Sequence, residues 1–495
     1  MTKGNLILRG GSVLVDPLAP PVICNVVIEG DTIARLDDGH RLSSADRVID
    51  ATGTFVLPGL ANAHAHSPNI LLRGMADRWT LEHARLRGPN LYVDWTPEDF
   101  YYAAALSGAE MLRGGSTAVC DQYLVPRDDY EPAIDAVMQA YIDIGIRAVA
   151  GPLVTDRSFP DSFPPNDRGL AFEGPPPNPI STTEALRIAS AAVERQLAVA
   201  HPRITACVAP TVPGECSDEL LIELTRLATS HQAPVHMHIS ESRVQAASSI
   251  LKFGESVISR LARLGVLGPH LTAAHCVWVT ENDLAQLRKH HCVVVHNPCS
   301  NLRFGSGIAP VHQMVGAGLT VGLGTDGALS ADHQQMLEAI RLAALISAVR
   351  DGPYNVDRWL TAEDVWAMGT TGSAAALGLR GQIGAIAPGF KADLFTVRTD
   401  DLGVSPGPPL MKSLVFQGAQ QAVETVMVGG DVVVSHGELT TVRESTLTMR
   451  ASDAAARVRP LAKTSLPAEE DARLDEICRL LLSNEELTRA EWDFL

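Results

Sequence analysis

The sequence has no surplus of basic residues: 40 Lys and Arg stand against 57 Asp and Glu, a formal charge of −17 at neutral pH. With no basic stripe to offset that repulsion, binding to nucleic acid or to an anionic membrane surface is disfavoured. No apolar run reaches about 18 residues, the length needed to cross a bilayer. The opening Met1-Thr2-Lys3-Gly4-Asn5 leads into strand-like sequence rather than a secretory signal. The eight cysteines are scattered with no CxxC spacing, which suits a reducing cytoplasm better than a disulfide framework. Phosphate-binding glycine loops and internal repeats are also missing, apart from an alternation of strand-like and helix-like segments. A chain of 495 residues is long enough for one large core and a smaller domain.

What is present begins with His64-Ala65-His66, at the end of the run that starts at Thr54. Two histidines at i and i+2 on a strand point to the same side, so both imidazoles can reach one metal ion. Short β-branched or small apolar runs recur at 54–66, 115–123, 147–155, 203–210, 234–242, 271–279, 292–300 and 319–328. Helical stretches lie between them, with starts such as Thr96-Pro97-Glu98-Asp99 and Ser181-Thr182-Thr183-Glu184 that place an acid three residues after a capping hydroxyl. Eight alternations predict an α/β fold of the (β/α)8 barrel type. In such a barrel chemistry collects at the strand ends, and there stand His64, His66, His238, Glu241, His275, Asn297, Ser300 and Asp326.

These residues lie in stretches that resemble the amidohydrolase superfamily, in the branch that holds cytosine deaminase-like enzymes, s-triazine hydrolases and methylthioadenosine/S-adenosylhomocysteine deaminases. The matching segments run from Pro58 to His66, His238-Ile239-Ser240-Glu241, Ala273 to Cys276, His296 to Asn301, Gly305 to Pro310 and Leu323-Gly324-Thr325-Asp326-Gly327. The resemblance implies that His64, His66, His238 and Asp326 bind one divalent metal, zinc before iron. Strand four, Arg203 to Pro210, has no lysine to bridge a second ion, so the expected site is mononuclear. Glu241, three residues after His238, is assigned the proton shuttle; His275 polarises the attacked centre or assists the metal-bound hydroxide, and Asp326 doubles as ligand and base. Attack on a ring carbon bearing an amino group, with loss of ammonia, is deamination of an amino-substituted triazine, pterin, purine or pyrimidine. The same apparatus could cleave an amide, urea or carbon–halide bond. A barrel kept only for assembly is disfavoured by the full set of ligands.

Substrate recognition is less clearly written. Leu71 to Asp77 resembles the segment after strand one in the nucleoside-acting deaminases, but Val208 to Pro213 and Ser330-Ala331-Asp332-His333 depart from their patterns, which argues against a nucleoside. Trp79, His83, Asn297 and Ser300 are candidate substrate contacts. Residues 156–180 hold seven prolines and are expected to form either a lid or specificity loop over the site, with Phe159, Phe163 and Phe172 as apolar contacts, or a surface excursion or subunit contact. Strands at the N-terminus and again near 393–435 are expected to join in one small β-sandwich, giving domains at 1–55 with 383–445, a barrel at 56–382, and a helical tail at 446–495. The tail's apolar cluster of Ile477, Leu480, Leu481 and Leu482 needs a cover, on the chain's own barrel or on a second subunit. A homodimer or higher homo-oligomer is expected.

Overall fold

The computed structural model describes residues 5–37, 46–165, 180–404, 410–418, 422–462, 464 and 467–484. Eight parallel strand positions close a ring. They are Leu60–His66, Ser116–Tyr123, Arg147–Val154, the pair Ile204–Ala206 and Ala209–Pro210, Val235–Ile239, Leu271–His275, Val293–His296, and the pair Thr320–Leu323 and Asp326–Gly327. A parallel bridge between Val208 and Val235 joins the fourth and fifth positions, and the pairing of Asp326 with Ala65 closes the last onto the first. Inside the ring the side chains are small. Ala61, Ala63, Ala118, Cys120, Val149 and Cys207 pack at the bottom with Ala374 to Leu377, so the barrel is filled rather than hollow. Helices such as Pro97–Arg113 and Thr182–Val199 pack outside, and their starts are those read in the sequence: Thr96 forms a capping box with Asp99, and Ser181 accepts from the Glu184 N–H.

The run from Thr54 to His66, expected as one strand, is two. Thr54–Pro58 pairs with Leu6–Val13 and with Leu394–Arg398 in a separate sheet, whereas Leu60–His66 enters the barrel. Gly59 makes the crossing possible, because a Cβ there would lie 2.1 Å from Thr117 Oγ1. Among the described residues the separate sheet has nine strands and mixes both ends of the chain, from Glu438–Leu439 through Leu394–Arg398 and Thr54–Pro58 to Thr32–Asp37. It curls until Ile33 exchanges backbone hydrogen bonds with Gly389 and Phe390, just before Leu394, and encloses Leu8, Val26, Ile28, Ile33, Leu394 and Met427.

A buried ion pair ties this sheet to the barrel: Arg147 Nε and Nη2 donate to the two oxygens of Asp393 at 2.9 and 3.0 Å. Asp393 also accepts from the Gly429 N–H at 2.7 Å. Replacing Arg147 with Met leaves that carboxylate buried without its cation, and unfolding in urea is expected to show a loss of about 3–5 kcal/mol. A loss under about 1 kcal/mol would mean that the pair is dispensable.

The helix Ala468–Leu482 covers the chain's own barrel. Its Leu474, Ile477 and Leu481 pack with Phe159, Phe163, Val244 and Leu251, while Leu480 is exposed. Arg87 Nη2 fixes it through both oxygens of Asp471 at 2.6 and 2.7 Å. Phe159 and Phe163 are thus spoken for by this cluster, and Phe172 lies outside the described residues. No disulfide joins the cysteines among the described residues, and no helix among them is long and apolar enough to cross a membrane.

Candidate metal centre and active site

The strand ends at the C-terminal face carry backbone strain. Ser240, His275, Cys276 and Asp326 all have left-handed φ, at +48°, +73°, +46° and +62°, a conformation that costs non-glycine residues about 1–3 kcal/mol each and persists only where the surroundings impose it. Here it turns His275 and Asp326 inward. The eighth strand can pass close behind His64 because residue 324 is glycine: a Cβ there would lie 2.4 Å from Asn297 Oδ1 and 2.7 Å from the Cβ of His64. The turn after His66 is held by Asp121, which accepts from the Ser67 N–H and hydroxyl at 2.8 and 2.6 Å and from Tyr141 at 2.7 Å.

Four donor atoms converge. His66 Nε2 lies 3.1 Å from His238 Nε2 and 3.1 Å from Asp326 Oδ1, and His64 Nε2 lies 3.6 Å from the same oxygen. The opposite nitrogens are already committed: His66 Nδ1 donates to the Gln122 carbonyl and His238 Nδ1 to the Thr211 carbonyl, each at 2.7 Å. The two inward nitrogens therefore face one another; burial opposes a charge on His66, but the hydrogen bond and charge of Asp326 outweigh it and raise His66 above the usual histidine range. His64 Nε2 is buried with no hydrogen-bond partner. Burial pushes His64 and His238 well below the usual histidine range, with the neighbouring imidazoles adding to the shift. Burial also works against the Asp326 carboxylate, but the hydrogen bond and charge of His66 outweigh it and hold Asp326 well below the carboxylate range. Three imidazoles and one carboxylate, converging with an unpartnered nitrogen, fit one divalent cation with an open position.

Beside this set stand Glu241 and His275. Glu241 Oε2 lies 3.7 Å from His275 Nε2. His275 donates from Nδ1 to Asn301 Oδ1 at 2.9 Å, and its Nε2 receives Asn297 Nδ2 at 3.3 Å. Burial raises the Glu241 carboxyl well above its ordinary range; the charge of Asp326 adds to this, and Arg85 opposes it. His66, His238, Glu241 and Asp326 line one cavity of about 110 Å³, whose walls include Arg85, Tyr92, Gln122 and Phe304.

Of the candidate substrate contacts, Asn297 touches His275, and Ser300 is fully buried with no hydrogen-bond partner for its hydroxyl. Neither lines the cavity, nor do Trp79 and His83. Trp79 stacks under the Arg87 guanidinium, and His83 is spent on the capping box with Thr80 and on Asp475 of the tail helix. The cavity instead uses Arg85, one helical turn past Leu81, with its guanidinium held by both oxygens of buried Glu215. Sequence reading missed Arg85, Glu215, Gln122 and Tyr92. The Arg and Glu are 130 positions apart in the chain, and no local pattern joins them.

A 5-methylthioadenosine/S-adenosylhomocysteine deaminase of Syntrophobacter fumaroxidans is 33% identical over 480 residues, covering 94% of this chain and 99% of that protein. A zinc-bound adenosine deaminase from Xanthomonas campestris superposes with a TM-score of 0.81 at 26% identity, over 92% of this chain and 99% of the other. An atrazine chlorohydrolase from Arthrobacter aurescens shares the fold, with a TM-score of 0.80 at 24% identity, over 91% and 100% of the two chains. The model of the amidohydrolase family matches residues 55–433, and the chain belongs to that family.

Proposed function

We propose that this chain is a zinc-dependent aminohydrolase that removes the exocyclic amino group of an adenine-type heterocycle, giving the oxo product and ammonia. The observation that carries the reading is the pair of facing Nε2 atoms of His66 and His238, 3.1 Å apart, within reach of Asp326 and flanked by Glu241. His64, His66, His238 and Asp326 would hold the ion. When bound, a divalent ion supplies a water that gives up its proton near neutral pH.

The remaining work falls to the protein. Glu241, buried and raised in pKa, can take a proton at Oε1 or Oε2 and return it to the departing amino nitrogen. His275, oriented by Asn301 and Asn297, faces the same carboxyl and accepts or donates a hydrogen bond at the attacked ring position. The apolar walls, among them Leu81, Leu91, Phe304 and Leu329, suit a flat ring and keep bulk water from it. The adenine preference rests on the relatives, whose printed activities concern adenosine-type compounds. It revises the expectation from Val208 to Pro213 and Ser330 to His333 that a nucleoside is disfavoured.

The test is ammonia release by zinc-loaded protein from S-adenosylhomocysteine, 5'-methylthioadenosine, adenosine, adenine and an amino-chlorotriazine. Ammonia from the adenine compounds, lost on dialysis against a chelator and restored by zinc, is the expected result. Chloride released from the triazine with no ammonia from any purine would replace deamination by halide hydrolysis.

A further inference from the structure

His64 differs from the other two histidines of the cluster in what holds it. His66 and His238 donate their outer N–H to backbone carbonyls, which any residue provides. The outer nitrogen of His64, Nδ1, instead meets a side chain: it lies 3.0 Å from Nε2 of His236, with the two rings nearly parallel at 13°. His236 is itself 1% exposed, and its Nδ1 lies 3.3 Å from Cys120 Sγ. Cys120 lies in turn in one buried cluster with Cys207. All of these groups are buried beneath the cavity, and the mechanism uses none of them except His64.

The protons in this chain can be placed in one order. For His64 to offer a lone pair at Nε2, its single proton must sit on Nδ1. His236 must then accept at Nε2 and carry its own proton on Nδ1, where Cys120 sulfur is the acceptor. We propose that His236 is a positioning residue of the metal centre, locking His64 in the tautomer and orientation that present Nε2 to the ion, with Cys120 setting the tautomer of His236. The proposal rests on the reading of His64 as a ligand.

A carboxylate is the commoner partner for a ligand histidine. A neutral imidazole does the same orienting work without adding a second negative charge to a site that already buries Asp326, Asp121 and Glu241. Position 236 is also anchored on both sides, since its carbonyl accepts from Gln122 Nε2 at 2.7 Å, the residue whose carbonyl orients His66.

The experiment compares wild type, His236→Leu, His236→Gln and Cys120→Ala, each stripped of metal and matched for melting temperature. Zinc affinity is read by competition with a chromophoric chelator, and the cobalt-substituted forms by their visible ligand-field spectra. His236→Leu, which removes the acceptor, is expected to bind zinc about 10- to 100-fold more weakly, with an altered cobalt spectrum. His236→Gln, whose side-chain oxygen can reach the same point, is expected to recover most of that loss. If His236→Leu keeps wild-type affinity within about threefold and the wild-type cobalt spectrum, the proposal is overturned. It is equally overturned if His236→Gln binds as weakly as the Leu variant at equal stability, because packing rather than the hydrogen bond would then be responsible. Should His236→Leu fail to fold, Cys120→Ala decides: about threefold or more loss of zinc affinity supports the relay, and unchanged affinity removes it. Wild type that binds no metal would instead sink the reading of the centre itself.

Discussion

Glu241→Gln is expected to lower turnover by about 10²- to 10⁴-fold while leaving the fold and the bound metal in place. The side chain is 3% exposed and sits among the groups that would handle the reaction, with Oε2 3.7 Å from His275 Nε2. Its backbone N–H donates to Gln245 Oε1 at 2.9 Å, which fixes the turn after His238 independently of the carboxyl. Glutamine keeps the volume and can still hydrogen-bond, but it has no proton to pass between water and leaving nitrogen. It also removes an acid that burial already holds far above its ordinary pKa, so the folded protein gives up little by the change. The check is kcat together with zinc content and melting temperature on one preparation. Normal turnover at full zinc content would take the proton-transfer role away from Glu241.

Much of this centre was legible because its residues are local to strand ends. His64 and His66 declare themselves by i, i+2 spacing on one strand, and His238 with Glu241 by sharing one strand-to-helix turn. The barrel was legible through alternation and capping, as Thr96 and Ser181 show. The break at Gly59 was not, because Thr54–Pro58 and Leu60–His66 are both apolar and β-prone; only the close approach of Thr117 separates them. Trp79 and His83 were placed near the substrate by their position after the first strand. The deciding contacts were long-range: Arg87 under the indole, and Asp475 of the tail against the imidazole. The tail shows the same limit. Its apolar residues were visible, but the helix buries the face of Leu474, Ile477 and Leu481 and turns Leu480 outward, a choice made by the surface that Phe159 and Val244 offer. His236 and His238 repeat the i, i+2 spacing of His64 and His66, and only the 3.0 Å approach of His236 to His64 tells the two pairs apart.

Asp326→Asn is expected to remove stoichiometric metal at micromolar zinc and to lower turnover on the order of 10³-fold or more. Asp326 is the one negatively charged member of the donor set, and its Oδ1 lies 3.1 and 3.6 Å from the Nε2 atoms of His66 and His64. Asparagine is the informative replacement because φ at this position is +62°. Asn tolerates that left-handed conformation, whereas alanine would add backbone strain of about 1 kcal/mol to the loss of a ligand. The Gly327 N–H, which donates to Oδ1 at 2.8 Å, keeps an acceptor in the amide oxygen, so the strand end should hold its shape. Charge is then the main thing removed. Without metal, the variant should be less stable than wild type near neutral pH, since the hydrogen bond and charge of His66 that hold the carboxylate ionised are weakened. The effect on metal binding is read separately, from the change in each variant's own melting temperature on adding zinc. At 100 times the dissociation constant, ligand binding stabilises the folded state by about 2.7 kcal/mol, so wild type should melt several degrees higher with zinc while Asp326→Asn stays where it was. Glu241→Gln should show the full zinc-induced rise with little turnover, so the two variants separate holding the ion from moving the proton. An Asp326→Asn protein that still binds one zinc per chain and turns over normally would place the fourth ligand elsewhere.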